Sequence, residues 1–200
     1  MGNQTSGDNS VSSADLELED FLNAAQKGDE QAFEMIWRSM NPRLSRFVAG
    51  RCYGTSLDYE EIVSEAWVSI ARDISKFKGD ALQFRSWVYT IARNRLVDSS
   101  RKRHRQVKNG GDVTELFIID PLPQAIDLIE SDEAVLAIVQ KIKELPESQA
   151  EILLLRVVAD LSVEETAKIV DKSENSVRVL CHRGLTTLRE KMRKEVSEDE

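Results

Sequence analysis

The stretch Phe77–Arg105, FKGDALQFRSWVYTIARNRLVDSSRKRHR, decides how the rest of the chain is read. It opens on a polar turn, Lys78-Gly79-Asp80. Phe84, Trp87, Val88, Ile91 and Ala92 then recur at helical spacing, and the stretch closes on Arg101, Lys102, Arg103 and Arg105. One helix is predicted, with aromatics buried on one face and positive charge gathered at its far end. Such a helix suits a nucleic-acid backbone, and aromatics near its start suit bases. Phe84 and Trp87 keep the helical spacing and read as core. Phe77 precedes the turn and lies off the stripe, while Tyr89 falls opposite Trp87 and is expected to be exposed. A loop aromatic beside basic residues can stack on an unpaired base, and Asn94 can offer amide hydrogen bonds there.

Toward the N-terminus the pattern is helical throughout. Leu18, Phe21, Leu22 and Ala25 share one face; Gly28 ends that helix and Asp29 caps the next. Phe33, Ile36, Trp37 and Met40 repeat the spacing. Asn41-Pro42 is expected to break the run, with Pro42 opening a new helix that carries Leu44, Phe47 and Val48. After the Gly54-Thr55-Ser56 loop, Asp58 begins an acidic first turn with Glu60 and Glu61. Ile62, Val63, Ala66, Trp67, Ile70 and Ile74 form its stripe.

Beyond Arg105 the character changes. Asn109-Gly110-Gly111, Pro121 and Pro123 interrupt any helix, and residues 106–131 read as an acidic linker carrying Leu116, Phe117, Ile118 and Ile119. A second helical set starts at Asp132, with Val135, Leu136, Val139 and Ile142 on one stripe that Leu145-Pro146 ends. A Leu-rich helix spans 147–159. Ser162-Val163-Glu164-Glu165 is a capping box for a short helix, Val163–Val170. Asp171-Lys172-Ser173 turns the chain into a longer helix through Val177, Cys181, Leu185 and Leu188. A short helix, a tight turn and a second helix with exposed Arg form a helix-turn-helix pattern. In that arrangement Glu174, Asn175 and Arg178 reach base edges, and Lys172, Arg183 and Arg189 suit phosphate or partner contacts.

Composition bounds the reading. The chain has 200 residues, 31% charged and 41% hydrophobic, and a net charge of −8. No apolar run approaches the roughly 20 residues of a membrane span, so no membrane insertion is expected and residence is taken as cytoplasmic. The charge is segregated: Asp8, Asp15, Glu17, Glu19 and Asp20 precede Phe21 without a base, and residues 112–140 carry acids alone. Bases gather at 93–108 and 178–194. Cys52 and Cys181 are far apart and read as buried thiols, and His104 and His182 are too scattered for a metal cage. No phosphate-cradling glycine loop, metal set or nucleophile–His pair is present, so no catalytic residue, metal or cofactor is assigned.

Three segments together resemble the extracytoplasmic-function (ECF) sigma factors, the smallest class of bacterial RNA polymerase initiation subunits. GDEQAFEMIWRSMNPRLSRFV (28–48) resembles the opening of sigma domain two. DYEEIVSEAWVSIARDISKFKGDALQFRSWVYTIARNRLVDSSRKR (58–103) resembles its polymerase-binding, melting and −10 regions. LPESQAEILLLRVVADLSVEETAKIVDKSENSVRVLCHRGLTTLRE (145–190) resembles sigma domain four.

The resemblance implies an all-α fold of two small helical domains. It divides the chain into a polar tail (1–14), domain two (15–105), the linker (106–131), domain four (132–194) and an acidic tail (195–200). It implies that Asp58, Glu61, Ile62, Glu65 and Trp67 meet the clamp helices of core polymerase. Phe77, Lys78, Asp80, Phe84 and Asn94 then belong to the loop and pocket that capture a flipped −10 base, and Arg93, Arg101, Lys102 and Arg103 meet the −10 backbone. Lys172, Ser173, Glu174, Asn175, Ser176, Arg178 and Arg183 read the −35 element. The linker is expected to thread toward the RNA exit path. The implied partners are core RNA polymerase, through its clamp helices and flap, promoter DNA and an anti-sigma factor. Two rivals remain on the residues alone. One is a helix-turn-helix regulator that acts without polymerase, and the other is a sigma mimic that titrates a regulator.

Overall fold

The computed structural model describes residues 13–108 and 133–198. Most of the expected polar tail and most of the expected linker lie outside them; Ser13 and Ala14, expected in the tail, open the first helix. Eight α-helices and no strand occur among the described residues. They are α1 (Ser13–Ala25), α2 (Glu30–Cys52), α3 (Tyr59–Asp73), α4 (Ala81–Lys108), α5 (Glu133–Lys143), α6 (Glu147–Leu153), α7 (Val163–Val170) and α8 (Glu174–Glu198). Helices α1–α4 form the first set and α5–α8 the second.

Local chemistry places most of the boundaries. Asp29 accepts from Ala32 N and starts α2; Asp58 accepts from Glu60 and Glu61 N and starts α3. At α7 the box closes both ways: Ser162 Oγ accepts from Glu165 N at 3.1 Å, and Glu165 Oε2 accepts from Ser162 N at 2.7 Å. Asp171 then takes a left-handed conformation (φ 53°) that stops α7. Ser173 Oγ accepts from Ser176 N at 3.2 Å at the head of α8.

Pro42 does not open a new helix. It sits inside the continuous α2. A proline there forfeits one backbone hydrogen bond and costs about 3 kcal/mol. Leu44, Phe47 and Val48, each 0% exposed, extend the face begun by Ile36 and Met40. Burying each large apolar side chain contributes roughly 1.5–3 kcal/mol, so the unbroken face outweighs the lost bond. On that same helix Trp37 points outward, 42% exposed, rather than joining the stripe.

The two helical sets are not strung apart. Helix α7 packs directly on α4, and α2 packs on α5 and on Leu154–Val158, a π-helical continuation of α6. One buried cluster runs through both sets. Tyr89 belongs to it: expected outside, it is 2% exposed and meets Phe47 edge-on at 5.7 Å. Its solvent face is removed by the second helical set, which local spacing along α4 cannot reveal. Gly50 lets α2 approach the second set closely, since a Cβ there would lie 2.9 Å from Leu154 Cδ2.

Beside Gly50, Lys143 Nζ donates to the Tyr53 carbonyl at the end of α2 and lies 4.6 Å from the centre of the Tyr53 ring. Burial pulls the Lys143 ammonium down to about 8 and pushes the neighbouring Cys52 thiol up to about 12. The thiolate is the reactive form. Native protein treated with iodoacetamide at pH 8.5 is therefore expected to be alkylated at Cys181, which is half-buried, and spared at buried Cys52. In denaturant both should react alike. Peptide mass mapping checks this, and equal native rates would refute it.

Candidate nucleic-acid interface

The loop between α3 and α4 is held from three sides. Asp80 Oδ1 accepts from Gln83 N at 2.8 Å and Asp80 N donates to Gln83 Oε1 at 3.3 Å, a reciprocal cap on α4. Glu19 Oε2 accepts from Ala81 N at 2.6 Å, adding negative charge at the helix start. Gln26 Nε2 donates to the Phe77 carbonyl at 2.8 Å and to that of Ile74 at 3.2 Å. Gly79 takes φ +152°, and a Cβ there would meet Gln83 and, at 3.0 Å, the Phe77 ring. The backbone around Phe77 is thus fixed rather than loose.

Phe77 is half-buried against two other rings. It meets Phe84 edge-on at 5.3 Å and Trp87 tilted at 5.1 Å. Phe84 itself is 0% exposed, so its part is to back Phe77 from the core rather than to face a ligand. The remaining faces of Phe77 and Trp87, with Ile91, line a cavity of about 500 Å³ between α3 and α4. Its polar wall includes Asn94, Arg95, Asp98, Ser69, Arg72 and Asp73. Arg95 donates to Ser69 Oγ at 2.8 Å, while Arg72 and Lys76 pair with Asp73 and hold its carboxyl below the usual range. Asn94 is exposed at the rim. An aromatic floor with an amide and cationic rim is the composition of a site for a flat heterocycle.

The other expected −10 residues divide. Lys78 and Asp80 are exposed in the turn, and Arg101, Lys102 and Arg103 are exposed along the end of α4. Arg93 is engaged elsewhere: its Nε lies 3.0 Å from Glu151 Oε1 of α6. On α3, Glu61 and Glu65 are exposed and share a face with Val68, 64% exposed, which the sequence reading passed over. Asp58 is spent on the helix cap. Ile62 (2%) and Trp67 (7%) lie behind that face in the core, where Trp67 Nε1 donates to Asn41 Oδ1 at 2.9 Å.

At the helix-turn-helix, Lys172, Ser173, Glu174, Asn175, Arg178 and Arg183 are all exposed, and Ser176 is half-buried. The structure brings them together on the N-terminal part of α8 and the turn before it. Arg178 Nη2 lies 2.6 Å from Glu174 Oε2, so these two hold each other in the free protein. Gly184 lets α8 approach α6: a Cβ would come within 2.9 Å of Leu153.

An all-helical chain with a helix-turn-helix at one end and an aromatic cavity at the other belongs to a recognisable class. The model of the ECF sigma factor family matches residues 16–198, and the chain belongs to that family. Its members are transcription-initiation subunits of RNA polymerase.

Among curated relatives, the ECF RNA polymerase sigma factor SigD of Mycobacterium tuberculosis is 28% identical over 173 residues, covering 84% of this chain and 80% of SigD. SigW of Bacillus subtilis is 26% identical, covering 86% and 95%. BldN of Streptomyces coelicolor is 27% identical, but the match spans only 63% of its length. Among solved structures, the sigma factor RpoE in complex with the anti-sigma factor NepR from Bartonella quintana aligns with a TM-score of 0.64 at 22% identity, over 80% of this chain and 96% of that one. CnrH in complex with the cytosolic domain of CnrY aligns with 0.62 at 18% identity, over 89% and 98%. These two share the fold.

Proposed function

We propose that this chain is the promoter-specificity subunit of a bacterial RNA polymerase holoenzyme and carries no catalytic activity of its own. The observation that carries the reading is the cavity floored by Phe77, Trp87 and Ile91 with Asn94 at its rim. It sits in the same chain as an exposed helix-turn-helix face. The exposed face of α3, Glu61, Glu65 and Val68, docks on core polymerase. Helix α8 reads the −35 element through Asn175 and Arg178, with Lys172 and Arg183 on phosphates. The Phe77 cavity takes an unpaired −10 base, and Arg101, Lys102 and Arg103 hold the backbone beside it. Unstacking a step costs a few kcal/mol, and base capture with backbone contact offsets it without nucleotide hydrolysis by this chain.

The protein acts in the cytoplasm, with the polymerase. No helix among the described residues is long and apolar enough to cross a membrane. Control by an anti-sigma factor is supported by the fold shared with the sigma factor RpoE, which was solved in complex with the anti-sigma factor NepR. In-vitro transcription with core polymerase and a candidate promoter tests the whole reading. Promoter-directed RNA that depends on this chain supports it. Tight sequence-specific duplex binding by the chain alone, with polymerase adding nothing, would favour a helix-turn-helix regulator instead.

A further inference from the structure

Two polar backbone groups of the loop between α3 and α4 are satisfied from outside it. The loop leaves α3 through a single 3-10 turn, Ile74–Lys76, and Phe77 then takes an extended conformation (φ −62°, ψ 139°). No backbone N–H among the described residues donates to the Phe77 carbonyl. At the far end of the loop, α4 begins with donors that have no partner inside the helix. Asp80 takes the one on Gln83, within the loop itself. The one on Ala81 is left for a partner from elsewhere.

Helix α1 serves both ends. Gln26 Nε2 donates to the Phe77 carbonyl at 2.8 Å and to the Ile74 carbonyl at 3.2 Å. Glu19 Oε2 accepts from Ala81 N at 2.6 Å. Gln26 N still bonds to the Leu22 carbonyl at 3.0 Å, so the helical path continues to this residue. Two helical turns, about 10 Å, separate the two side chains, which therefore leave the same face. Leu22 between them is 1% exposed and fixes that face in the core. Glu19 and Gln26 are both half-buried, and neither lines the Phe77 cavity.

We infer, on the base-capture reading of that cavity, that Gln26 and Glu19 are positioning residues for promoter opening. Helix α1 braces the loop at both ends and holds the Phe77 cavity in shape before a base arrives. Neither side chain touches DNA; each acts through the loop backbone, and the Phe77 ring follows that backbone. A loop without its brace samples other conformations, and its apparent affinity for the base falls with the fraction that remains competent.

Gln26→Met keeps the length of the side chain and removes its donor. In holoenzyme reconstituted with the full chain it is expected to slow open-complex formation about tenfold, the effect of losing a pair of such bonds, with closed-complex affinity within about twofold. Glu19→Ala removes the acceptor for Ala81 N by an independent route and is expected to act in the same direction. The deciding measurement repeats both on templates that carry an abasic site at each −10 position of the non-template strand in turn. At the position whose base is captured, wild type should open no faster than either variant, because the cavity has nothing to take. If both variants are slowed equally on intact and abasic templates, they act on the fold alone and the inference is overturned. Wild-type opening of the intact template by both variants would overturn it too. Failure of base capture itself looks different: no abasic position would slow the wild type, and the positioning roles would fall with it.

Discussion

Phe77→Ala is expected to reduce promoter open-complex formation by about 5- to 150-fold while leaving core-polymerase affinity within about twofold. The range follows from the roughly 1–3 kcal/mol that one base–aromatic stack contributes. Phe77 also packs on Phe84 and Trp87, and such ring pairs are worth about 0.5–1.5 kcal/mol each. Some loss of thermal stability will therefore accompany the alanine variant. Phe77→Leu separates the two effects, because it keeps most of the packed volume and removes the π face. Leu should restore the melting temperature but not the opening of the promoter, followed by permanganate reactivity of the −10 bases. If Leu restores both, Phe77 serves packing alone and the cavity does not stack a base.

Arg178→Ala is expected to abolish discrimination at one −35 position, at a cost of about 1–3 kcal/mol against the preferred sequence. The fold should tolerate it. The Glu174–Arg178 pair is 47% and 59% exposed, and an exposed i,i+4 pair contributes only about 0.3–0.5 kcal/mol. Wild type should lose transcription when the −35 sequence is changed, whereas the variant should transcribe from both templates at the same low level. Lys172→Ala and Arg183→Ala should instead weaken every template alike, as phosphate contacts do. A variant at 178 that behaved like those two would place Arg178 on the backbone rather than on a base.

The second helical set was the more legible half because its signals are local. A Ser hydroxyl and a Glu carboxylate three residues apart satisfy each other's backbone donors wherever they occur, so Ser162 and Glu165 set the start of α7 before any packing is considered. The resemblance in 58–103 marked Phe77 and Asn94 as one site, and the structure does place both on one cavity. Gln26 left no trace of its part in that site. It lies 51 residues from the Phe77 carbonyl it holds, and an amide in the turn after α1 looks, in sequence, like any other polar residue. Pro42 misled for the converse reason: its rule is local, and a face buried along the whole of α2 overrides it.

The capped boundaries, the helix-turn-helix and the exposed basic end of α4 follow from properties of residues within a few positions of one another. Which face of Tyr89 or Trp37 meets solvent does not, because it depends on whether a helix from the distant half lies over it. The same holds for Arg93. Its charge is plain in FKGDALQFRSWVYTIARNRLVDSSRKRHR, but its partner, Glu151, lies 58 residues away. Ion pairing and burial depend on distance in space, and only the packing of α6 and α7 on the first set brings those two groups together.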